Sequence, residues 1–300
     1  LIKDEKRKTI PDQYDAAVES MRHIVDMLEQ GWEVVVTHGN GPQVGFIHRR
    51  SELSSHELHE VPLDYCGADT QGAIGYMFVR ALHNEFLRRG MNKNAVAVVT
   101  QTIVNRDDPA FEHPTKPIGS FMDEKTAKHR AENEGWVVVE DAGRGWRRVV
   151  ASPIPQRIVE ADAIHNLIEE GFVVVGVGGG GIPVIELENG DLQGVEAVID
   201  KDFGSSLLAN MIKADLFVIS TAVEKVAINF KKPDEKWLDR ITAAEAREYM
   251  AQGHFAKGSM LPKIQAILRF LDNGGKQAII TNPENIGRAL RGETGTLIVR

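Results

Sequence analysis

The chain has 300 residues, of which 42% are hydrophobic and 26% charged, and this balance excludes a disordered protein and allows a packed core in one or two lobes. Its 43 acidic residues outnumber the 35 basic ones, and the net charge of −8 argues against a general nucleic-acid-binding protein, which needs a basic face. Cys66 is the single cysteine, which excludes an intramolecular disulfide and a cysteine-based zinc site and favours a reducing, cytoplasmic setting. No apolar stretch approaches the ~20 residues of a membrane-spanning helix, and the charged start "LIKDEKRK" does not resemble a signal peptide, so we expect no membrane association.

The predicted elements alternate between amphipathic helices and valine-rich strands. Apolar residues from Tyr14 to Leu28 have helical spacing, and the strand "WEVVVTHGN" follows. The later elements are, in order, the helix "GAIGYMFVRALHNEFLRRG", the strand "NAVAVVTQTIV", the helix "RIVEADAIHNLIEEG", the strand "FVVVGVGGGG", a helix from about Gly204, the strand "DLFVISTAVEKVAI", the helix "GSMLPKIQAILRFLDNG" and the strands "KQAIIT" and "GTLIVR". This alternation predicts an α/β fold whose mostly parallel sheet is covered on both faces, with ligands bound beyond the carboxyl ends of the strands.

Two stretches break the alternation, namely "RDDPAFEHPTKPIGSF" and "EGWVVVEDAGRGWRRVVASPIP". Both are rich in proline, glycine and charge. We interpret them as an insertion that projects from the sheet as a lid.

The strand "WEVVVTHGN" ends in Gly39, Asn40 and Gly41, whose backbone amides could bind an anion. The alternative is a simple turn at the end of the strand. Three further segments favour the anion site.

The first of these segments is "VGVGGGGIPVI", in which Gly176, Gly178 and Gly181 match the G-x-G-x-x-G pattern of a dinucleotide site. This pattern raises the hypothesis of a dehydrogenase. In dehydrogenases, however, the glycine pattern lies at the start of a helix. Here the residues from Ile182 onward are predicted to form a strand, and "ENGD" is predicted to form a hairpin turn. Close approach of a ligand or of neighbouring backbone explains the glycines better.

The other two segments carry lysines. Asp200, Lys201 and Asp202 lie between a strand and a helix. Either they form a solvated charge cluster that caps the helix, or the two aspartates hold Lys201 toward a phosphate. In "GSMLPK", Ser259 can cap a helix, and Lys263 then lies near a helix N-terminus, where a cation is unfavourable unless an anion binds there too. Together the segments predict a polyphosphate site.

Other motifs carry less weight. "HELHE" has its histidines three residues apart instead of the four of a metalloprotease helix. Cys66 is better explained as a small packed residue than as a nucleophile. No Gly-Lys-Ser/Thr occurs in the chain, so any use of ATP proceeds without a P-loop.

Six segments in order along the chain resemble the carbamate kinases of the amino acid kinase superfamily: "THGNGPQVG", "HPTKPIG", "EDAGRGWRRVV", "GGGGIPV", "EAVIDKDF" and "GHFAKGSMLPK". The resemblance covers essentially all 300 residues and implies reversible phosphoryl transfer between ATP and carbamate, with Mg²⁺, in a homodimer. It further implies ATP synthesis from carbamoyl phosphate in arginine catabolism. The fold it implies is a three-layer αβα sandwich of one domain, 1–300, with an N-terminal carbamate lobe at about 1–195, a C-terminal nucleotide lobe at about 196–300 and a protruding subdomain at 111–149.

The resemblance also implies roles for individual residues. Lys201 and Lys263 match the lysines that neutralise the transferring phosphoryl group, Asp202 the residue that orients them, and Lys116 a lysine that reaches over the carbamate site. The matched substrate-binding residues are Gly39, Asn40 and Gly41, and the matched nucleotide-binding residues are Lys201, Thr221, Ala222, Val223, Met260 and Lys263.

One departure concerns the start of the chain. The family begins with a strand and a glycine-glycine-asparagine loop, and the chain as given starts at Leu1, where that loop should end. We expect that an upstream piece is omitted. The alternatives are a catalytically impaired nucleotide-binding regulator of the same fold and a kinase of another small carboxylate.

Overall fold

A computed structural model describes residues 9–140 and 144–300, so part of the "EDAGRGW" motif lies outside the described residues. The helices in these ranges are α1 Ile10–Glu29, α2 Gly41–Ser54, α3 Leu63–Arg89, α4 Glu124–Glu134, α5 Ala161–Glu169, α6 Lys201–Met211, α7 Ala243–Ala251, α8 Met260–Asp272 and α9 Ile286–Leu290. The strands are β1 Val35–Val36, β2 Ala95–Ala97, β3 Gln101–Val104, β4 Lys116–Met122, β5 Val138–Glu140, β6 Trp146–Val150, β7 Pro155–Ile158, β8 Val173–Val175, β9 Ile182–Glu186, β10 Leu192–Gly194, β11 Leu216–Ser220, β12 Val226–Ile228, β13 Lys236–Leu238, β14 Arg240–Thr242, β15 Gln277–Thr281 and β16 Thr296–Val299.

Three sheets form the body of the molecule, with the strand orders β1-β8-β2, β10-β9-β3-β7 and β11-β15-β16-β14. Five of the eight pairings in these sheets are parallel. The predicted α/β class is therefore confirmed. The predicted hairpin turn at "ENGD" is confirmed as well, because it joins the antiparallel strands β9 and β10.

Strand β8 shows how the sheet is covered on both faces. Val173 and Val175 pack in the core that α1 and α3 form, whereas Val174 packs with Ile164 of α5 and Leu208 of α6. Successive side chains of a strand point to opposite faces, so a run of valines is buried on both sides. Helices therefore lie on both faces of this sheet, as a sandwich requires.

Helix α6 belongs to two hydrophobic cores at once. Its Leu208 lies in the core beneath α5, and the adjacent Ala209 lies in the C-terminal core with α8 and β15. Ser206 Oγ also donates a hydrogen bond of 2.8 Å to the Ala266 carbonyl of α8. Helix α6 thus joins the two halves of the chain.

The insertion contains a separate antiparallel sheet, β4-β6-β5, with α4 beside it. Strand β4 packs against α2, where the Cα of Gly119 would lie 3.7 Å from a Cβ built on Gly45. The lobes at 1–195 and 196–300 and the subdomain limits at 111–149 stay predictions.

Several predicted boundaries were wrong. Helix α6 begins at Lys201 and not at Gly204, because Asp200 accepts a hydrogen bond from the Asp202 amide and so caps the helix earlier. Helix α3 extends nine residues further toward the N-terminus than the stretch assigned to it. Helix α2 was missed, since its few apolar residues lack a clear helical period.

Candidate active site

The N-terminus of α6 carries the charged residues that the sequence singled out. Asp200 is the N-cap residue, and its Oδ1 accepts from the Asp202 amide at 2.9 Å. Lys201 and Asp202 follow as the first two helical residues, and Lys201 Nζ donates to Asp202 Oδ1 at 2.6 Å. The carboxylate of Asp202 is buried, while the Lys201 side chain is 40% exposed.

A second lysine reaches the same carboxylate from the C-terminal half. Lys263 lies in the first turns of α8, and its Nζ donates to Asp202 Oδ2 at 3.0 Å. Each oxygen of Asp202 therefore accepts from one ammonium group, and two lysines 62 positions apart are held side by side. Lys201, Lys263 and Asp202 together carry one net positive charge, which favours the binding of a phosphate.

The surroundings of Lys263 lower the pKa of its side chain. Burial lowers the pKa of the Lys263 ammonium below its ordinary value, and the neighbouring charge of Lys201 lowers it further, against the opposing effect of Asp202. The Lys263 side chain is only 12% exposed, so it loses much of its hydration. An anion bound between the two lysines would relieve this repulsion.

Helix α8 begins as predicted, but Ser259 does not cap it in the expected way. Ser259 is the N-cap residue with φ −142° and ψ −70°, and its side chain makes no capping hydrogen bond. That backbone geometry differs from the extended conformation in which a serine side chain reaches the first amides of a helix.

The segment Gly39–Gly41 lies at the N-terminus of α2 and passes beneath Lys201. A Cβ built on Gly39 would lie 2.9 Å from Cδ of Lys201, so a side chain at position 39 would make the lysine side chain shift. Asn40 is buried and donates to Thr70 Oγ1 at 2.8 Å. A Cβ on Gly41 would meet no atom within 4 Å, and Gly41 is the first residue of α2, where helix amides lack partners.

The glycine run packs against this segment instead of opening a helix. Gly178 to Gly180 form one 3₁₀ turn that leads into β9, which removes the context of a dinucleotide fingerprint. A Cβ would lie 2.4 Å from His38 Nε2 if built on Gly178 and 2.1 Å from Asn40 Nδ2 if built on Gly179. These glycines therefore serve close packing of the site's own loops.

Lys116 lies beside the cluster, at the start of β4. Its Nζ donates to Asp200 Oδ2 at 2.8 Å. Burial raises the pKa of the Asp200 carboxyl. This effect is outweighed by the charge and hydrogen bond of Lys116, by the hydrogen bond from the Asp202 amide and by the charge of Lys201, so the pKa lies below its ordinary value. The Lys116–Asp200 pair therefore persists at neutral pH.

The predicted nucleotide-binding residues beyond the lysines lie in two places. Thr221, Ala222 and Val223 follow β11, and the Thr221 amide donates to the Thr281 carbonyl at 2.8 Å. Met260 is the first residue of α8 and packs against the C-terminal core. The hydrogen bonds of the described residues that join Lys116, Lys201, Lys263 and the two carboxylates do not extend to these positions, whose role stays a prediction.

Sequence reasoning placed Asp200 in a helix cap or beside Lys201 but did not predict its contact with Lys116, and it gave His38 no role. Asp200 both caps α6 and holds Lys116, and the signal for the cap was an aspartate directly before a helix. His38 is buried against Phe78 with ring centroids 5.6 Å apart, and burial lowers its pKa to about 4. His38 lies within the segment "THGNGPQVG", but nothing in that segment indicated its burial.

The carboxylates of the site do not form a protein cage for Mg²⁺. Both oxygens of Asp202 and one of Asp200 accept from lysines, and within the described ranges no three histidine, cysteine, aspartate or glutamate side chains are grouped as metal ligands. Mg²⁺ commonly binds through substrate phosphates with few protein ligands. These residues therefore suit a metal that arrives with the nucleotide.

No helix in the described part of the chain combines the length and the apolarity that crossing a bilayer requires.

Comparison with known proteins adds three findings. A model of the amino acid kinase family matches residues 2–282. A carbamate kinase of Thermococcus kodakarensis is 50% identical over 100% of this chain and 96% of its own length, and a carbamate kinase-like protein of Escherichia coli is 53% identical with the same coverage. A solved structure of Giardia lamblia carbamate kinase bound to AMP-PNP superposes with a TM-score of 0.93 at 42% identity, covering 100% of this chain and 95% of that one.

Proposed function

The chain belongs to the amino acid kinase family, and within it to the carbamate kinases, and we propose that it transfers a phosphoryl group reversibly between ATP and carbamate. The observation that carries the proposal is the pairing of Lys201 and Lys263 on the single carboxylate of Asp202, at the N-termini of two helices. The expected reaction is ATP + carbamate = ADP + carbamoyl phosphate. The chain is accordingly a phosphotransferase.

The geometry supports catalysis by charge and position. In the transfer, the bond between the γ-phosphorus and the bridging oxygen of ATP breaks while a carbamate oxygen bonds to that phosphorus. Negative charge lies on the phosphoryl oxygens throughout, so two ammonium groups and two helix N-termini stabilise it. Asp202 needs no proton transfer in this scheme, because its task is to hold Lys201 and Lys263 together.

The remaining predicted residues complete the proposed site. Backbone amides at Gly39, Asn40 and Gly41 would bind the carbamate or phosphoryl oxygens, and Lys116 would screen the charge of carbamate as it approaches ATP. The nucleotide would contact Met260 and the segment 221–223. Mg²⁺ would enter with the nucleotide and neutralise phosphate charge.

We also propose the biological setting that the resemblance implies. The enzyme would make ATP from carbamoyl phosphate in arginine catabolism, in the cytoplasm, as the lone Cys66 suggests. It would act as a homodimer. Tyr65 and Tyr76 support a partner surface, since both are more than 60% exposed and lie three helical turns apart on one face of α3. Sedimentation analysis tests the dimer.

ATP formation from ADP, Mg²⁺ and carbamoyl phosphate tests the function. We expect activity in the wild type and a loss of about 100-fold or more in Lys201→Ala and Lys263→Ala, with unchanged circular dichroism. Lys276→Ala is the matched control, because Lys276 pairs with Asp215 on the surface. A near-normal rate of Lys201→Ala would contradict the assigned role.

A small carboxylate other than carbamate is the second candidate for the phosphoryl acceptor. The relative in Escherichia coli is named as carbamate kinase-like, and a kinase of another small carboxylate is the alternative that the sequence left open. Replacing carbamoyl phosphate by acetyl phosphate in the same assay separates the two. Faster ATP formation from acetyl phosphate would favour the other carboxylate, and ADP binding without turnover of either compound would favour a regulator.

A further inference from the structure

The two oxygens of the Asp200 carboxylate have different partners. Oδ1 accepts from the Asp202 amide and so caps α6, whereas Oδ2 accepts from Lys116 Nζ at 2.8 Å. The first contact is local. The second joins residues 84 positions apart and links β4 of the insertion to the helix that carries Lys201.

Backbone hydrogen bonds determine the position of the Lys116–Asp200 pair. Lys116 pairs with Val150 across the β4–β6 ladder, and the next residue, Ala151, forms a bridge with Ala197 and accepts from the Val198 amide at 2.9 Å. Val198 lies two residues before Asp200. The pair therefore spans the base of the insertion, between two chain segments that hydrogen bonds already hold in register.

The charges explain why Lys116 needs a partner there. Lys201 and Lys263 are close, and a third ammonium group near the N-terminus of α6 would be repelled by both lysines and by the helix dipole. The carboxylate of Asp200 is 17% exposed and offsets this repulsion at the required position. The Lys116 side chain remains 34% exposed, so its ammonium group can still be reached by a bound anion.

We propose that Asp200 is a positioning residue that holds Lys116 over the N-terminus of α6 and acts on phosphoryl transfer through that lysine. The inference rests on the proposed function for its kinetic consequence. It goes further by assigning the two Asp200 oxygens separate tasks, a helix cap and a lysine holder. It also makes the base of the insertion part of the reaction site.

The variant Asp200→Asn separates the two tasks. Asparagine caps helices as well as aspartate does, so the contact to the Asp202 amide is kept, while an amide nitrogen or a neutral oxygen now faces Lys116. Asp200→Ala removes both contacts. We expect Asp200→Asn to unfold at nearly the wild-type temperature and Asp200→Ala to unfold at a lower one.

A double-mutant cycle with Lys116→Met supplies the decisive comparison. We expect Asp200→Asn to lower kcat/KM for carbamoyl phosphate about tenfold in the wild-type background and not at all in the Lys116→Met background. Equal losses in both backgrounds would overturn the inference, because they would show that Asp200 acts without Lys116. Asp123→Asn, at the N-cap of α4, is the matched control and should keep wild-type rates.

Amide hydrogen exchange tests the same point without turnover. We expect faster exchange in β4 and β6 for both Asp200→Asn and Lys116→Met than for the wild type, with unchanged exchange in α8. If the wild type makes no ATP from carbamoyl phosphate, the proposed function fails and the exchange experiment still decides the role of Asp200. Wild-type exchange in β4 of Asp200→Asn would overturn the inference.

Discussion

Gly39 lies directly beneath the aliphatic chain of Lys201, so close that a Cβ on Gly39 would stand 2.9 Å from Cδ and 3.3 Å from Cε of the lysine. Cβ contacts under 3.0 Å essentially never occur in proteins. A side chain at position 39 would therefore make the flexible side chain of Lys201 shift from its present path to Asp202. The glycine segment after β1 thus leaves room for the lysine side chain and is also a candidate anion site.

We expect Gly39→Ala to displace the ammonium group of Lys201 and to lower kcat by about 10- to 100-fold, since small misplacements of catalytic groups have effects of this size. The measurement is ATP formation under saturating substrates. Gly72→Ala, where a Cβ would meet no atom within 4 Å, is the matched control. Wild-type turnover in Gly39→Ala would show that Lys201 can take another path.

The lowered pKa of Lys263 predicts the alkaline limit of activity. Burial and the charge of Lys201 favour its neutral form, so Lys263 loses its proton at a lower pH than an ordinary lysine. We expect kcat/KM for ADP to fall with rising pH before the ordinary lysine pKa of 10.5 is reached. Lys263→Arg keeps its charge, so its residual activity should lack this fall. A flat wild-type profile to pH 10.5 would contradict the prediction.

His38 predicts a loss of stability in mild acid. Because burial lowers its pKa from 6.5 to about 4, the unfolded chain takes up a proton near pH 6.5 that the folded chain accepts only near pH 4. Stability therefore falls as pH drops through this window, by about 2 kcal/mol between pH 7 and pH 5. Urea unfolding at the two pH values measures the loss. The variant His38→Gln should lose less stability over the same range, and an equal loss would point to other groups.

Cys66 should be unreactive in the folded protein. Burial raises the pKa of its thiol to about 11, and the charges of Asp69 and Glu196 add to the effect, so almost no thiolate exists at neutral pH. We expect a thiol-specific disulfide reagent to modify Cys66 at pH 8 at least 100-fold more slowly in the native protein than in concentrated urea. Equal rates in both conditions would mean that the thiol is accessible.

The valine-rich strands and the long helices could be predicted from the sequence, because burial on both faces leaves a pattern in the local residues. Helix α2 lacks that pattern, although Pro42 in its first turn was a usable signal. Helix α7 was also missed, and its Thr242–Glu245 capping box was the signal that could have located it.

Within the site, the sequence predicted the lysines and Asp202, which orients Lys201 and Lys263, through motifs, but it did not predict that Lys116 pairs with Asp200. The contact of Lys116 with Asp200 and the packing of Gly179 against Asn40 join residues 84 and 139 positions apart. Such contacts depend on how sheets and loops are arranged in space, and a single sequence carries no local trace of them.

The position of α6 between two hydrophobic cores has a consequence for how this protein fails under stress. Leu208 depends on the core beneath α5, and Ala209 on the core beneath α8, while Lys201 and Asp202 begin the same helix. Loosening either core removes the support from one side of this helix. The temperature of heat inactivation should therefore be set by the less stable of the two cores. Activity should be lost at a lower temperature than the spectroscopic signals that average over the whole chain.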